Sequence, residues 1–251
     1  MRSVVTWAPA RLATARFVGV ADVVAAMAAA PDWPSCDDLN AWFAEPFASV
    51  GVRMVAADKM RATLRPDGLL DPQSLYEVRI SDTGEVPTRP RNLHDLLNAL
   101  MWAAFPLSKM ALTRRLGLLQ RLRAAGQAKL PVARTRPHDR LALIDEGGVL
   151  HLSNAANPTA PCTWIFGHAI LEHAYAGIYD VRGAVMQLRT AASLRPPPTA
   201  SARAIVDQIL ASIVGDDEAV ATAMVAGAGQ PIDDAQLARA EAPTCRPACP
   251  S

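Results

Sequence analysis

Apolar residues along most of the chain recur three and four positions apart, which is the spacing of one face of an α-helix. Segments with this pattern are 37–44, 93–105, 108–125, 164–176, 184–194 and 200–214. We predict a helix over each of them. Pro106 lacks an amide proton and keeps Phe105 out of the α region, so we expect two separate helices on either side of it.

Shorter stretches have the pattern of β-strands. Residues 53–57 form a short apolar run, and residues 75–80 alternate apolar and polar side chains. Residues 141–144 and 149–152 flank the sequence Asp-Glu-Gly-Gly at 145–148, which is typical of a β-hairpin. Helices outnumber strands without regular alternation. The sequence therefore predicts an α+β fold, a mostly helical single domain with a few short antiparallel strands that include one β-hairpin.

The distribution of proline divides the chain. Three consecutive prolines at 196–198 indicate a stiff connection between two parts. We expect a main α+β domain over residues 1–194 and a C-terminal helical segment over residues 200–241 that packs on it. Residues 242–251 are rich in proline and poor in apolar side chains, so we expect a disordered tail.

Composition excludes several classes of protein. Apolar residues make up 51% of the chain, charged residues make up 20%, and the net charge is +1, which excludes a disordered or collagen-like protein. No apolar run approaches the ~18 residues of a membrane span, and Arg11, Arg16 and Asp22 interrupt every candidate for a signal peptide. The four cysteines are too few and too scattered for a disulfide framework. A cytoplasmic protein is expected.

The first group of residues with chemical potential lies at the start of the helix predicted over 93–105. Asn92 is a suitable N-cap, and His94 and Asn98 share one face of the helix with Trp102. The positive end of a helix disfavours a charged imidazole, so we expect a neutral His94 that can bind a metal or act as a base. Asp95 is a candidate catalytic carboxylate, although its position also suits a capping role. A buried polar network of His94 and Asn98 that fixes the fold is an open alternative.

A second group lies on the helix predicted over 164–176. His168 and Glu172 are one helical turn apart, so both side chains can reach the same point. The pattern HxxxEH differs from the HExxH of zinc proteases. A plain surface pair of His168 and Glu172 is the alternative, whereas His173 is expected to face solvent.

These groups, taken together, predict a metal site. His94, His168 and Glu172 are the candidate ligands, and Asp145 or Glu146 is the candidate general base. Two histidines with one carboxylate and open positions suit zinc or ferrous iron. Turn carboxylates such as Asp145 and Glu146 are also common as solvated turn formers.

Residues 109–136 carry eight basic side chains and no acidic one. A solvated surface that pairs with the acidic C-terminal part of the chain is the default interpretation. Binding of nucleic acid is disfavoured because the chain is nearly neutral overall and lacks interleaved aromatic residues. Engagement of another anionic partner by this basic helix remains open.

Four sequence blocks resemble a family of bacterial domains of unknown function, the family numbered 3025. They are YEVRISDTGEVPTR from Tyr76, NLHDLLNALMWAAFPLSK from Asn92, LIDEGGV from Leu143 and FGHAILE from Phe166. The resemblance extends over about 33–194 and is most specific in HDLLNALMWAAFP. It implies a bacterial, single-domain protein without a membrane span, and it implies no particular reaction.

Two functions follow as hypotheses. The first is a metal-assisted hydrolase or lyase that acts on a small anionic substrate through His94, His168 and a carboxylate. The second is a non-catalytic binding or scaffold protein that uses the basic helix over 109–136 to engage an anionic partner. The sequence does not define the oligomeric state.

Overall fold

The computed structural model describes residues 6–154, 157–190, 199–225, 229–232 and 237. Helices dominate this part of the chain, as expected for the predicted α+β class. The α-helices are α1 (Ala21–Ala28), α2 (Cys36–Trp42), α3 (Ala44–Val50), α4 (Tyr76–Thr83), α5 (Leu93–Ala104), α6 (Pro106–Ala124), α7 (Arg136–Gly147), α8 (His168–Tyr175), α9 (Ala200–Val214) and α10 (Asp217–Ala223).

Strands form two small sheets in the described residues. The strands are β1 (Arg53–Ala56), β2 (Glu85–Thr88), β3 (Gly148–Asn154), β4 (Asn157–Ile165), β5 (Arg182–Thr190) and β6 (Gln230–Pro231). One sheet pairs β1 with β2 in parallel, and the other has the order β4-β3-β5-β6. Within the second sheet β3 is antiparallel to β4 but parallel to β5. The expectation of antiparallel strands alone was therefore incomplete.

The helix boundaries around Pro106 confirm one prediction. Helix α5 ends at Ala104, Phe105 leaves the helical region, and α6 begins at Pro106. The strand at 53–57 is confirmed as β1, and the helix predicted over 200–214 is α9. The described residues of α9 and α10 share one hydrophobic core with the rest of the fold, through Val206, Leu210, Val214 and Val220.

The strand predicted over 75–80 was wrong, because these residues belong to α4. Val78 and Ile80 lie on different sides of this helix and are buried in two different hydrophobic clusters, which reproduces the alternating pattern of a strand. Gly84 follows with φ 69 in the left-handed region and ends the helix. Because β1 and β2 run parallel, a crossover must connect them, and α4 lies in that connection.

The β-hairpin predicted from residues 141–144 and 149–152 was wrong. Residues 141–144 lie in α7, where Leu141 and Ile144 are buried three residues apart on one face, and Thr135 caps the start of this helix. The glycines therefore end a helix rather than form a turn between strands. The observed hairpin is β3 with β4, and residues 155–156 between them lie outside the described residues.

Two further predicted helices were wrong in whole or in part. Residues 164–165 complete strand β4, and α8 begins only at His168. The segment predicted as a helix over 184–194 forms β5 as far as Thr190. Strand β5 pairs along its length with β3, a distant contact that local periodicity cannot reveal. The predicted tail over 242–251 lies outside the described residues.

Candidate functional site

Helix α5 presents His94 in its first turn. The side chain of Asn92 accepts a hydrogen bond from the amide of Asp95, as predicted for an N-cap. The carboxylate of Asp95 accepts three hydrogen bonds from Arg89, one from its amide and two from its guanidinium. Asp95 therefore secures the segment that precedes the helix. Its predicted catalytic role draws no support from these contacts.

Helix α8 supplies two groups that hold the ring of His94. Nε2 of His168 lies 3.2 Å from Nε2 of His94, and Oε2 of Glu172 lies 3.0 Å from Nδ1 of His94. The two imidazole rings are tilted by 75° with centroids 4.5 Å apart. The one-turn spacing of His168 and Glu172 thus places both side chains on one target, as the sequence suggested. That target is His94 itself.

Helix α7 ends beside the paired histidines. The main-chain oxygen of Asp145 lies 2.9 Å from Nδ1 of His168. The Asp145 carboxylate binds the ammonium of Lys109, and this ammonium lies 5.7 Å from the centre of the Trp102 ring. Lys109 is only 3% exposed. A continuous chain of polar contacts therefore runs from Lys109 through Asp145, His168 and His94 to Glu172.

Close backbone packing brings the end of α7 to the start of α8. A Cβ atom on Gly167 would lie 2.4 Å from the main-chain oxygen of Glu146 and 2.5 Å from the amide nitrogen of Gly148. Only glycine fits at such a crossing. The side chain of Glu146 is exposed, and its negative charge contributes to the raised pKa of His94.

The two histidines have opposite electrostatic environments. The hydrogen bond to Glu172 raises the pKa of His94 above its usual value, in spite of partial burial. Burial lowers the pKa of His168 to about 4. The expectation that the helix end keeps His94 neutral is therefore opposed by the neighbouring carboxylate. The pKa of Glu172 is lowered in turn, chiefly by its hydrogen bond with His94.

Asp145 is a poor general base in this arrangement. Burial acts to raise its pKa, but the charge of Lys109 and the neighbouring histidines outweigh burial and hold the pKa below the usual value. Its carboxylate is also committed to Lys109. Of the two carboxylates predicted as a base, Glu146 is the accessible one.

The contacts define which nitrogen carries the proton in each ring. The carbonyl oxygen of Asp145 can only accept, so Nδ1 of His168 donates to it. The carboxylate of Glu172 likewise accepts from Nδ1 of His94. In the neutral form of either ring the lone pair therefore lies on Nε2. Two such lone pairs face each other over 3.2 Å, which requires a proton or a cation between them.

The three predicted metal ligands, His94, His168 and Glu172, lie together, but Glu172 does not face the same point as the two histidine Nε2 atoms. Glu172 contacts Nδ1 of His94, whereas the facing nitrogens of His94 and His168 are Nε2. No group of three or more His, Cys, Asp or Glu side chains suited to a metal ion occurs within the described residues. His94 and His168 are the ligands that the geometry offers, and Glu172 orients one of them.

Sequence reasoning missed Lys109 as part of this site. It was grouped with the basic stretch 109–136, although it follows Phe105 by one turn and precedes Leu112 by three residues on the buried side of α6. A cation on an apolar helical stripe was the available signal, because a buried lysine almost always has a partner.

The rest of the basic stretch does not form one helix, since α6 ends at Ala124 and α7 begins at Arg136. Arg115 binds Asp217, which lies in the acidic C-terminal part of the chain. Arg121 binds Asp82. The pair of Arg115 with Asp217 agrees with the default interpretation of a surface that pairs with the acidic C-terminal part, whereas Asp82 lies outside that part.

The described fold is thus a mostly helical α+β protein with two histidines facing each other at the junction of α5, α7 and α8. Residues 65–162 match the model of the family described as Protein of unknown function (DUF3025). The match confirms the resemblance of these residues to this family. His94 and Asp145 lie within the matched region, and His168 follows it. Comparison with curated proteins and with solved structures gave no significant match.

No helix in the described part of the chain combines the length and the apolar character that crossing a bilayer requires.

Proposed function

We propose that His94 and His168 bind a divalent transition-metal ion through their Nε2 atoms, and that the protein is a metal-assisted hydrolase or lyase. The observation that carries the proposal is the 3.2 Å separation of the two Nε2 atoms. Two nitrogens bound to one ion at about 2.1 Å lie about 3.4 Å apart at a tetrahedral angle and about 3.0 Å apart at a right angle. The observed separation falls between these values.

The partners of the opposite nitrogens support the same reading. Ligand histidines commonly donate their second ring proton to a carboxylate or a main-chain oxygen, which fixes the tautomer. Glu172 serves His94 in this way, and the carbonyl oxygen of Asp145 serves His168. Imidazole ligands suit zinc, iron, copper and nickel, which keeps the zinc or iron of the sequence prediction.

An ion with two protein ligands retains open positions for water and substrate. A bound ion lowers the pKa of its water and polarises a carbonyl or phosphoryl oxygen. The exposed Glu146 is the proposed base that accepts a proton from this water. The ion would also supply positive charge for a small anionic substrate, because Lys109 and Arg89 are already bound to Asp145 and Asp95.

Zinc titration of the chain after treatment with a chelator tests the metal site. We expect one ion per chain, loss of binding in His168→Ala and in the half-exposed His94→Ala, and roughly tenfold to hundredfold weaker binding in Glu172→Gln. The control is His173→Ala, because the hydrogen bond found for this exposed ring among the described residues goes to the main-chain oxygen of Ala169 on its own helix. Unchanged binding in both His94→Ala and His168→Ala would overturn the proposal.

Activity provides the second half of the test. The zinc-loaded chain should hydrolyse a 4-nitrophenyl ester faster than free zinc does, and Glu146→Gln should slow the reaction while zinc affinity is retained. Zinc binding without such an effect of Glu146 would remove the proposed base. The scaffold function and the cytoplasmic location stay predictions from the sequence.

A further inference from the structure

Asn98 lies in the middle of the helical face that borders the paired histidines. His94 precedes it by one turn and contacts His168, and Trp102 follows it by one turn and lies beneath the ammonium of Lys109. Both neighbours on this face therefore contact the same chain of polar groups. Asn98 lies between them on this face by helical spacing, and its partner Tyr76 is close enough to Asp145 for that charge to raise the pKa of the phenol.

The amide of Asn98 is only partly satisfied. Its Nδ2 donates to the hydroxyl of Tyr76 over 3.0 Å, whereas its Oδ1 is buried and has no hydrogen-bond partner among the described residues. Asn98 is 8% exposed. If the amide is turned round, its nitrogen becomes the end without a partner. One end of this buried side chain lacks a partner in either orientation.

Asn40 shows how the same side chain is satisfied elsewhere in this fold. Its Nδ2 donates to the main-chain oxygen of Met54, and its Oδ1 accepts from the amide of Met54, both over 2.8 Å. Buried polar groups in native proteins are normally paired in this way. A buried amide that remains half-satisfied beside a cluster of titratable groups points to a ligand.

Tyr76 adds a donor beside the free acceptor. Its hydroxyl oxygen accepts from Asn98, so its proton is available to another acceptor. Burial raises the pKa of Tyr76, and the charges of Asp95 and Asp145 raise it further. The phenol therefore keeps its proton, and the pair offers one O–H donor and one carbonyl acceptor side by side.

We propose that Asn98 and Tyr76 bind the amide group of the small molecule that occupies the site beside His94 and His168. A primary amide or a lactam presents on one edge a C=O that accepts from Tyr76 and an N–H that donates to Asn98, whereas a trans secondary amide has these two groups on opposite edges. An ester lacks the N–H and a carboxylate lacks a donor, so this pair binds either group more weakly than an amide. The activated ester of the activity test therefore reports on the metal and Glu146 alone, and the charge of an anionic substrate lies outside this pair. As an assignment of the substrate class the inference rests on the proposed function, but binding of the amide does not need the metal.

Nuclear magnetic resonance of the zinc-free chain tests the binding with two probes of matched shape, the lactam 2-pyrrolidinone and the lactone γ-butyrolactone. We expect 2-pyrrolidinone to shift the side-chain amide signals of Asn98 in a saturable manner, and γ-butyrolactone to bind at least about threefold more weakly. Tyr76→Phe should weaken the binding of the lactam by a similar factor. The signals of Asn40, which is fully paired, are the internal control. Equal responses to both probes, or no response at Asn98, would overturn the inference.

Thermal unfolding of the ligand-free chain gives an independent readout. Replacement of both groups in Asn98→Leu with Tyr76→Phe removes the unsatisfied amide, so the midpoint should stay the same or rise by about 2–4 °C. Asn40→Leu breaks two satisfied hydrogen bonds and should lower it. A double variant that loses as much as Asn40→Leu would assign Asn98 to structure alone. Failure of zinc binding would count against the metal site and leave both of these results unaffected.

Discussion

The carboxylate of Asp207 on α9 caps the start of α6 through Ser108. It accepts hydrogen bonds from the amides of Leu107 and Ser108 at 2.9 and 2.8 Å and from the hydroxyl of Ser108 at 2.6 Å. The first amides of a helix have no partner within the helix and carry partial positive charge. This contact therefore ties α9 to the helix that carries Lys109.

Loss of this cap should destabilise the whole fold. Asp207 is 2% exposed, and Asp207→Ala leaves the amides of Leu107 and Ser108 without their carboxylate partner, whereas the Ser108 hydroxyl keeps the main-chain oxygen of Asp207 at 3.0 Å. We expect the free energy of unfolding in urea to fall by about 2–3 kcal/mol. Asp217→Ala is the control, because Asp217 makes an exposed ion pair with Arg115 whose loss should cost under ~1 kcal/mol. Equal losses in the two variants would contradict the role of Asp207.

The ion pair between Lys109 and Asp145 should be more costly to break than a surface pair. Lys109→Met leaves the Asp145 carboxylate without its cation, and we expect a loss of about 3–5 kcal/mol in urea unfolding. Adding Asp145→Asn to the Lys109→Met variant should restore part of the lost stability, because the neutral amide needs no counter-charge. Arg121→Met breaks a pair with Asp82 that is more exposed and should cost under ~1 kcal/mol. A Lys109→Met variant no less stable than Arg121→Met would refute this assignment.

His138 should make the protein less stable in acid. Its ring is buried, and neither nitrogen has a partner among the described residues. Burial lowers its pKa, and the charges of Arg134 and Arg123 lower it further. The unfolded chain therefore binds a proton more readily than the folded chain below about pH 6.5, so the contribution of His138 to stability falls as the pH decreases.

Replacement of His138 by leucine should remove that dependence. We expect His138→Leu to gain stability relative to the unaltered chain between pH 7 and pH 5, as measured by urea unfolding at each pH. His173→Leu, at an exposed histidine, should follow the unaltered chain. Parallel pH profiles for His138→Leu and the unaltered chain would show that His138 is not the titrating group.

Two neighbouring glycines offer a test of the crossing between α7 and α8. A methyl group at Gly167 would meet main-chain atoms of Glu146 and Gly148, which cannot yield as a flexible side chain would. Gly167→Ala should cost roughly 1–3 kcal/mol and weaken zinc binding, because His168 is the next residue. Gly147→Ala has only a side-chain atom of Leu143 at 3.7 Å nearby and should be tolerated. Equal stability of the two variants would contradict the close packing.

The sequence predicted correctly those features that depend on residues within a single helix. The cap at Asn92, the apolar stripe of α5 and the break at Pro106 are local features, and each was predictable. The one-turn spacing of His168 and Glu172 also indicated a common target. Local chemistry of this kind acts within a few residues and leaves a readable pattern.

The features that the sequence did not predict depend on contacts between distant parts of the chain. The short apolar run of β5 has no preference that distinguishes a strand from a helix until β3 pairs with it. The partner of Lys109 is 36 residues away, and the partner of Nε2 in His168 is 74 residues away. Contacts over such separations determine which residues can bind a metal ion and which orient the ligands. A local sequence pattern does not reveal these contacts.

The parallel pairing of β3 with β5 has a consequence for the order of assembly. The hairpin of β3 and β4 can form locally, but β5 can join β3 only after α8 has carried the chain from one side of β3 to the other, at the end of the sheet where β3 begins. His168 lies on that crossing, so we expect its contact with His94 to form late in folding. An ion held between the two histidines would then stabilise the native state and not the transition state of folding. We therefore expect it to slow unfolding and to leave the rate of folding nearly unchanged.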